Sequence, residues 1–215
     1  MKSSSIALCR AAAPMVLTIG SSALGAEDPS ALNEKVTALE KRVAELEGKT
    51  EAEKKSAELL AANRQKARAR AAQDREHYKP EQLAEIESLY QVANKNWRTD
   101  EARESLKQLL AKYDHANRTG CATLYMGQMS EGEARLDYLT RAVEKFSDCY
   151  YFDGCQVGGY GRYVLALTLW EKGEKDKARA LIADLKTTYK DATDHRGRPI
   201  TELAEAAEKA FAAKQ

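Results

Sequence analysis

The stretch from Val157 to Tyr189, VGGYGRYVLALTLWEKGEKDKARALIADLKTTY, contains two amphipathic runs separated by Lys172-Gly173-Glu174. Apolar residues in each run recur at steps of three and four, which is the spacing of one face of an α-helix. These residues are Tyr163, Ala166, Leu169 and Trp170 in the first run and Ala178, Leu181, Ile182, Leu185 and Tyr189 in the second. The stretch therefore predicts a helical hairpin whose two apolar faces need neighbouring hairpins to cover them.

The composition indicates an all-α protein. Charged residues make up 31% of the 215 residues, aromatic residues only 7%, and four prolines and twelve glycines interrupt the chain. Few breakers and many charges are typical of helical chains. The formal net charge is +1, which argues against nucleic acid as a partner because phosphate binding needs clustered, uncompensated positive charge.

Two hairpins with weaker sequence patterns precede this hairpin when the chain is aligned on small residues. Ala102, Ala134 and Ala178 are separated by 32 and 44 residues. The larger spacing contains an additional segment, Ser147 to Gln156, with the sequence SDCYYFDGCQ. A last amphipathic run, residues 201–213, predicts a helix that caps the exposed end of the stack. Residues 80–215 are thus expected to form an α-solenoid of about three hairpins and a capping helix.

The turn and small residue in KGEKDKA, residues 172–178, resemble those of the tetratricopeptide-repeat family. The first spacing is also close to the period of that family, which is 34 residues. Tyr90 and Arg141 depart from its pattern, since each stands where a small residue is expected. The resemblance implies a non-catalytic binding module.

The first 26 residues have the features of a secretory signal peptide. Lys2 and Arg10 provide a basic start, residues 11–19 are apolar, and small residues follow up to Ala26. This order predicts export to a periplasmic or secreted location. A membrane anchor is the alternative, but a bilayer helix needs about 20 apolar residues, so we expect no membrane span in the mature chain. A cytoplasmic repeat protein whose start only resembles a signal peptide is a further alternative.

Residues 31–79 are predicted to form a coiled-coil and charged linker helix. Apolar residues alternate steps of four and three in a heptad repeat, with valine at position a and leucine at position d. The set is Leu32, Val36, Leu39, Val43 and Leu46. This seam predicts a homo-oligomer, either a dimer or a trimer. The seam weakens beyond Gly48, and residues 51–79, which include a basic cluster from Arg64 to Arg70, are expected to form a solvated spacer helix.

A signal peptide, a short coiled coil and helical repeats also follow one another in the periplasmic CpoB (YbgF) family, and the chain is similar to that family in this order of parts. The resemblance implies an adaptor of the cell envelope. It transfers no functional residue, because it concerns architecture and not motifs.

Three cysteines remain after the predicted cleavage: Cys121, Cys149 and Cys155. An oxidising compartment favours a disulfide, and an antiparallel hairpin would bring Cys121 close to Cys149. Cys149 with Cys155 is the alternative pair, and a third interpretation is that Cys121 is merely a buried small apolar residue. We expect no metal, because the cysteine spacing lacks the tight pairs of zinc sites and no histidine is nearby. No motif predicts a cofactor or a catalytic residue.

The first helices of successive hairpins are expected to form a groove that binds an envelope protein or peptide. Its predicted residues are Gln91, Asn94, Thr123, Met126, Tyr160, Tyr163 and Trp170. The alternative is that the aromatic members pack against the cysteine-containing segment or the final helix. The function predicted from sequence is therefore a non-catalytic exported adaptor or scaffold. A thiol-redox or other envelope enzyme that uses the segment from Cys149 to Cys155 is the alternative.

Overall fold

The computed structural model describes residues 29–213, and in this part of the chain every regular element is an α-helix. The eight helices are α1 (Pro29–His77), α2 (Pro80–Lys95), α3 (Asp100–Lys112), α4 (Asn117–Met129), α5 (Gly132–Lys145), α6 (Val157–Glu171), α7 (Lys175–Thr187) and α8 (Ile200–Ala212). The predicted all-α class is confirmed. The predicted signal peptide lies outside the described residues, as does the side chain of Leu32.

The hairpin from which the prediction started is formed by α6 and α7. Gly173 has a φ of +85°, a conformation that glycine adopts without steric cost, and it allows the Glu174 N–H to donate to the Leu169 carbonyl at 2.9 Å. The predicted stripes lie on the packed faces, since Ala166, Ala178 and Leu185 are each fully buried. The hairpin prediction is confirmed.

Helices α2 to α8 pack in sequence order. Each consecutive pair of helices is in contact. In addition, α4 contacts α2 and α6, and α6 contacts α8. Helix α8 covers α6 and α7, where Phe211 stacks on Trp170 with ring centroids 3.9 Å apart. That these pairs are tetratricopeptide-like repeats stays a prediction.

The alignment of the middle hairpin on Ala134 is wrong. Ala134 is exposed, whereas Ala102 and Ala178 are fully buried. Helix α5 begins at Gly132, and the side chain that points to the next hairpin is that of Arg135, whose Nε donates to Thr168 Oγ1 at 3.1 Å. The packed face is therefore shifted by one residue from the expected position.

The insert, residues 147–156 between α5 and α6, is part of the core. Its Cys149, Tyr151 and Cys155 are almost fully buried. The side chain of Asn117, at the start of α4, holds the insert by both backbone groups of Tyr150. Asn117 Nδ2 donates to the Tyr150 carbonyl and Asn117 Oδ1 accepts from its N–H, both at 2.8 Å.

The C-terminal part of α1 packs on the loops of the domain, so the predicted solvated spacer is wrong for this segment. Asn63, Ala67 and Asp74 are buried at spacings that place them on one helix face. Asn63 Nδ2 donates to the Asp191 carbonyl at 2.7 Å, and Asp74 accepts from the Asn117 N–H at 2.9 Å. We call this segment, residues 56–74, the α1 strap.

The predicted basic cluster contributes to the strap. Arg70 donates to Asp148 at 2.8 Å, to Asp74 at 2.8 Å and to the His115 carbonyl at 3.0 Å, and Arg64 donates to the Asp153 carbonyl at 3.2 Å. Arg64 and Arg70 thus hold loops of their own domain, whereas Lys66 and Arg68 are exposed, as expected for a solvated charge run.

The chain divides into two compact units between Leu46 and Glu47. Residues 47–79 thus belong to the unit of the helical hairpins, whereas the sequence predicted a domain start at residue 80. In the N-terminal unit the predicted seam residues Val36, Leu39, Val43 and Leu46 are 44 to 63% exposed. The helix is therefore present where the heptads predict it, and its apolar stripe faces solvent.

Candidate functional site

A depression of about 250 Å³ lies on the side of the domain formed by α2, α4 and the insert. It is lined by aromatic, amide and charged side chains: Tyr90, Gln91, Asn94, Arg118, Tyr125, Tyr151, Phe152 and Asp153. Tyr90, Gln91 and Asn94 come from α2, and Tyr151, Phe152 and Asp153 are consecutive residues of the insert. The depression is thus formed by the first helices of the first two hairpins and by the insert between the second and third hairpins.

Aromatic rings connect this depression to α6 in a continuous series, which we call the aromatic row. Tyr90 and Tyr125 are stacked with centroids 5.7 Å apart, and Tyr125 is 5.4 Å from Tyr151. The ring of His195 stands edge-on at 4.5 Å from Tyr151 and 5.0 Å from Tyr160. The row is completed at one end by Trp97, 5.5 Å from Tyr125, and at the other by Tyr163, 6.3 Å from Tyr160.

Arg118 forms the charged floor of the depression. Its guanidinium carbon lies 4.1 Å from the Tyr90 ring centroid and 4.0 Å from that of Phe152. It also donates to both carboxylate oxygens of Glu87, at 2.8 and 3.0 Å. Burial alone would raise the pKa of Glu87, but hydrogen bonds from Arg118 and Gln91 lower it. The pair is ionised at neutral pH and holds two aromatic rings in fixed positions.

Asp153 and His195 join the insert to the loop between α7 and α8. His195 Nδ1 lies 2.8 Å from Asp153 Oδ2, and the other carboxylate oxygen accepts from the Cys155 N–H at 2.9 Å. Burial acts to raise the pKa of Asp153, yet these two hydrogen bonds lower it. The carboxylate is therefore an anchor for the loop that carries the His195 ring.

The predicted groove residues separate into three groups. Gln91 and Asn94 line the depression, and Tyr160 and Tyr163 are half-buried members of the aromatic row. Thr123 and Met126 are 0% and 3% exposed, because they lie on the face of α4 that packs inside the domain. The structure corrects the predicted groove at these two positions.

Trp170, the remaining predicted groove residue, lies outside these three groups. Its ring is parallel to that of Phe211, with an interplanar angle of 4°, and the Arg179 guanidinium lies 5.5 Å from its centroid. The alternative that this residue packs against the final helix is therefore the correct one for Trp170.

Sequence reasoning missed most of the site. Tyr125, Tyr151, Phe152, Trp97, Arg118 and His195 were not predicted as its members. The insert offered one signal, since a segment that exceeds the repeat period and carries two tyrosines and a phenylalanine, YYF at residues 150–152, is rich in residues that dominate binding sites. The contribution of His195 depends on a contact across 42 residues and left no local pattern.

Cys121, Cys149 and Cys155 are buried in the domain, and no disulfide joins them in this structure. Burial raises the pKa of Cys149 to about 12 and raises the pKa of Cys121 and Cys155 well above the ordinary value. The protonated thiol is a poor nucleophile, so nothing in this arrangement favours the thiol-redox alternative. Cys149 Sγ lies beside the backbone of Gly120, since a Cβ there would be 2.6 Å from it. The Cys121–Cys149 disulfide stays a prediction.

Among the described residues, no group of three or more histidine, cysteine, aspartate or glutamate side chains is arranged to hold a metal ion. No helix within this part of the chain is long and apolar enough to cross a membrane. Comparisons of the chain with protein-family models, curated proteins and solved structures gave no match.

Proposed function

We propose that the protein is a non-catalytic exported adaptor that binds a segment of an envelope protein or peptide at the aromatic row and self-associates through the heptad seam of α1. The observation that carries the proposal is the exposure of aromatic side chains around one depression. Phe152 is 53% exposed and Trp97 is 41% exposed, and both are attached to a rigid set of rings and an ion pair.

The chemistry of the depression suits a peptide. Trp97, Tyr125 and Phe152 offer apolar area at low cost in conformational entropy, and Tyr90 and Tyr151, which are 2% and 3% exposed, support the ring of Tyr125. The amides of Gln91 and Asn94 offer donors and acceptors to a main chain. Asn94 Nδ2 donates to Gln91 Oε1 at 3.2 Å and Gln91 Nε2 donates to Glu87 at 2.5 Å, so both amides are oriented. Burial raises the pKa of the Tyr90 phenol, which therefore stays neutral.

Self-association would increase the effective affinity of such a site. Individual peptide contacts are weak, and two or more copies of the domain linked by a coiled coil convert the second binding event into an intramolecular one. The seam residues Val36, Leu39, Val43 and Leu46 are exposed on α1.

The test is a pull-down from envelope extract with the full-length chain and with the Trp97→Ala/Phe152→Ala double variant. Both side chains are well exposed, so their loss leaves the core intact. We expect a partner that is retained by the original chain and reduced by about tenfold or more in the variant, as for aromatic residues at the centre of an interface.

The matched control is Lys107→Ala, an exposed residue on α3 that does not line the depression. It should retain the partner at the original level. A partner that binds all three proteins equally would place the interaction elsewhere. The absence of any partner that depends on the two aromatic residues would contradict the proposal.

A further inference from the structure

A second depression, of about 470 Å³, lies between the C-terminal turn of α5, the loop between α3 and α4, and the α1 strap. Basic side chains from two of these regions line it, Arg141 and Lys145 from α5 and Arg70 from α1, together with the His115 ring from the loop. Asp114 and Asp148 are its acidic members. We call it the α5 basic pocket.

Asp148 accepts from Arg70 at 2.8 Å, and Asp114 lies 3.5 Å from the ring of His115. Arg70 also donates to Asp74 and to the His115 carbonyl. In the described part of the chain, no carboxylate pairs with Arg141 or Lys145, which are one helical turn apart and project from the same face.

Arg141 has a feature that distinguishes it from an ordinary surface arginine. Its Nε atom is buried and has no hydrogen-bond partner, and no other buried side-chain nitrogen or oxygen among the described residues shares this property. Buried donors without a partner are rare in folded proteins.

We infer that the α5 basic pocket binds an oxyanion of the phosphate type, with Arg141 as the principal donor and Lys145 as a second positive charge. The planar guanidinium matches two oxygens of such an anion, and Arg141 and Lys145 both line the pocket. The volume exceeds that of inorganic phosphate, so a phosphate monoester also fits. The site is separate from the aromatic row and does not rest on the proposed adaptor function.

The test is a titration of the full-length chain with inorganic phosphate at constant ionic strength, followed by calorimetry, and a parallel titration with glycerol 3-phosphate. We expect saturable binding that Arg141→Gln weakens by about tenfold, the effect of losing a hydrogen bond to a charged group. Lys145→Gln should weaken it by a smaller factor. Lys209→Gln, which removes the same charge from an exposed position on α8, should leave it unchanged.

Tighter binding of glycerol 3-phosphate would assign the pocket to a monoester, and equal binding would assign it to the free ion; both support the inference. Saturable binding that is the same in Arg141→Gln and in the original chain would overturn it, as would the absence of binding by both anions. If Arg141→Gln loses its helical circular-dichroism signal, the exposed Lys145→Gln variant decides, and unchanged affinity in that variant overturns the inference.

Discussion

Gly158 marks the closest approach between the insert and α6. A Cβ atom at this position would lie 2.5 Å from the Ser147 carbonyl oxygen and 2.8 Å from the Tyr189 ring. The first of these is a backbone atom that cannot move aside as a flexible side chain would. A glycine is therefore required for packing at position 158, near the start of α6.

We expect Gly158→Ala to lower the free energy of unfolding by about 1 to 3 kcal/mol, the range for overpacking in a closely packed interior. Urea denaturation followed by circular dichroism measures it. Gly48→Ala is the control, because a Cβ at Gly48 meets no atom within 4 Å and alanine is a better helix former. Equal stability of the two variants would contradict the packing interpretation.

The Arg118–Glu87 pair predicts a pH dependence of stability. The pKa of Glu87 is lowered in the folded protein, so the folded state binds the proton less readily than the unfolded state does. Its stabilising contribution is therefore complete above the unfolded glutamate pKa of about 4.3 and is lost as the pH falls through the lower folded value. The melting temperature of Glu87→Gln should fall less steeply than that of the original chain over this acidic range. An identical decrease of the melting temperature with falling pH in both proteins would contradict a stabilising role for ionised Glu87.

At the residue scale, sequence predicted part of the aromatic row and misplaced the rest. Tyr160 and Tyr163 were identified because they share a helix face, and Gln91 and Asn94 by analogy of position. Thr123 and Met126 were misplaced because α4 is buried on almost all sides, so it presents no exposed groove face at these positions. Tyr151 and His195 lie outside helices, where periodicity carries no information.

At the scale of elements, the α1 strap is the feature that sequence did not predict. The helix itself was expected, but its packed face consists mainly of small and polar residues such as Ser56, Asn63, Ala67 and Asp74, with Leu60 packed against Gly154 and Gly197. It is held by hydrogen bonds to loop carbonyls and N–H groups. In contrast, α6 and α7 were predicted correctly because their packing is apolar and strictly periodic.

We expect Asn63→Ala to release part of the strap. Asn63 is 1% exposed, and its loss leaves the Asp191 carbonyl without this donor, which costs about 1 to 3 kcal/mol. Hydrogen–deuterium exchange should show that this substitution accelerates exchange in residues 56–77 more than in α6. Gln65→Ala, at an exposed position of the same helix, is the control and should leave the exchange pattern unchanged. Unaltered protection in Asn63→Ala would show that other contacts hold the strap.

At the scale of the whole molecule, the heptad seam predicts a self-associating chain. Replacing Leu39 and Leu46 by lysine places charges at two d positions of the expected interface, where an unpaired charge would be buried. Sedimentation equilibrium should show a dimer or trimer for the original chain and a monomer for the double variant. Ala38→Lys adds the same charge outside the seam and should retain the oligomer. A monomeric original chain would contradict the seam interpretation.

The α1 strap also has a consequence for how the domain unfolds. An array of helical hairpins has contacts mainly between neighbours, so its ends can fray independently of its middle. Here the Ser56 hydroxyl donates to the Gly197 carbonyl at 3.0 Å across 141 positions of sequence, and the same helix reaches Asn117 and Asp148 on the way. The α1 strap thus connects the C-terminal end of the helical domain to its earlier loops. Such a domain gains cooperativity, because loosening either end weakens the other, and it completes its folding only after the segment near residue 197 is available.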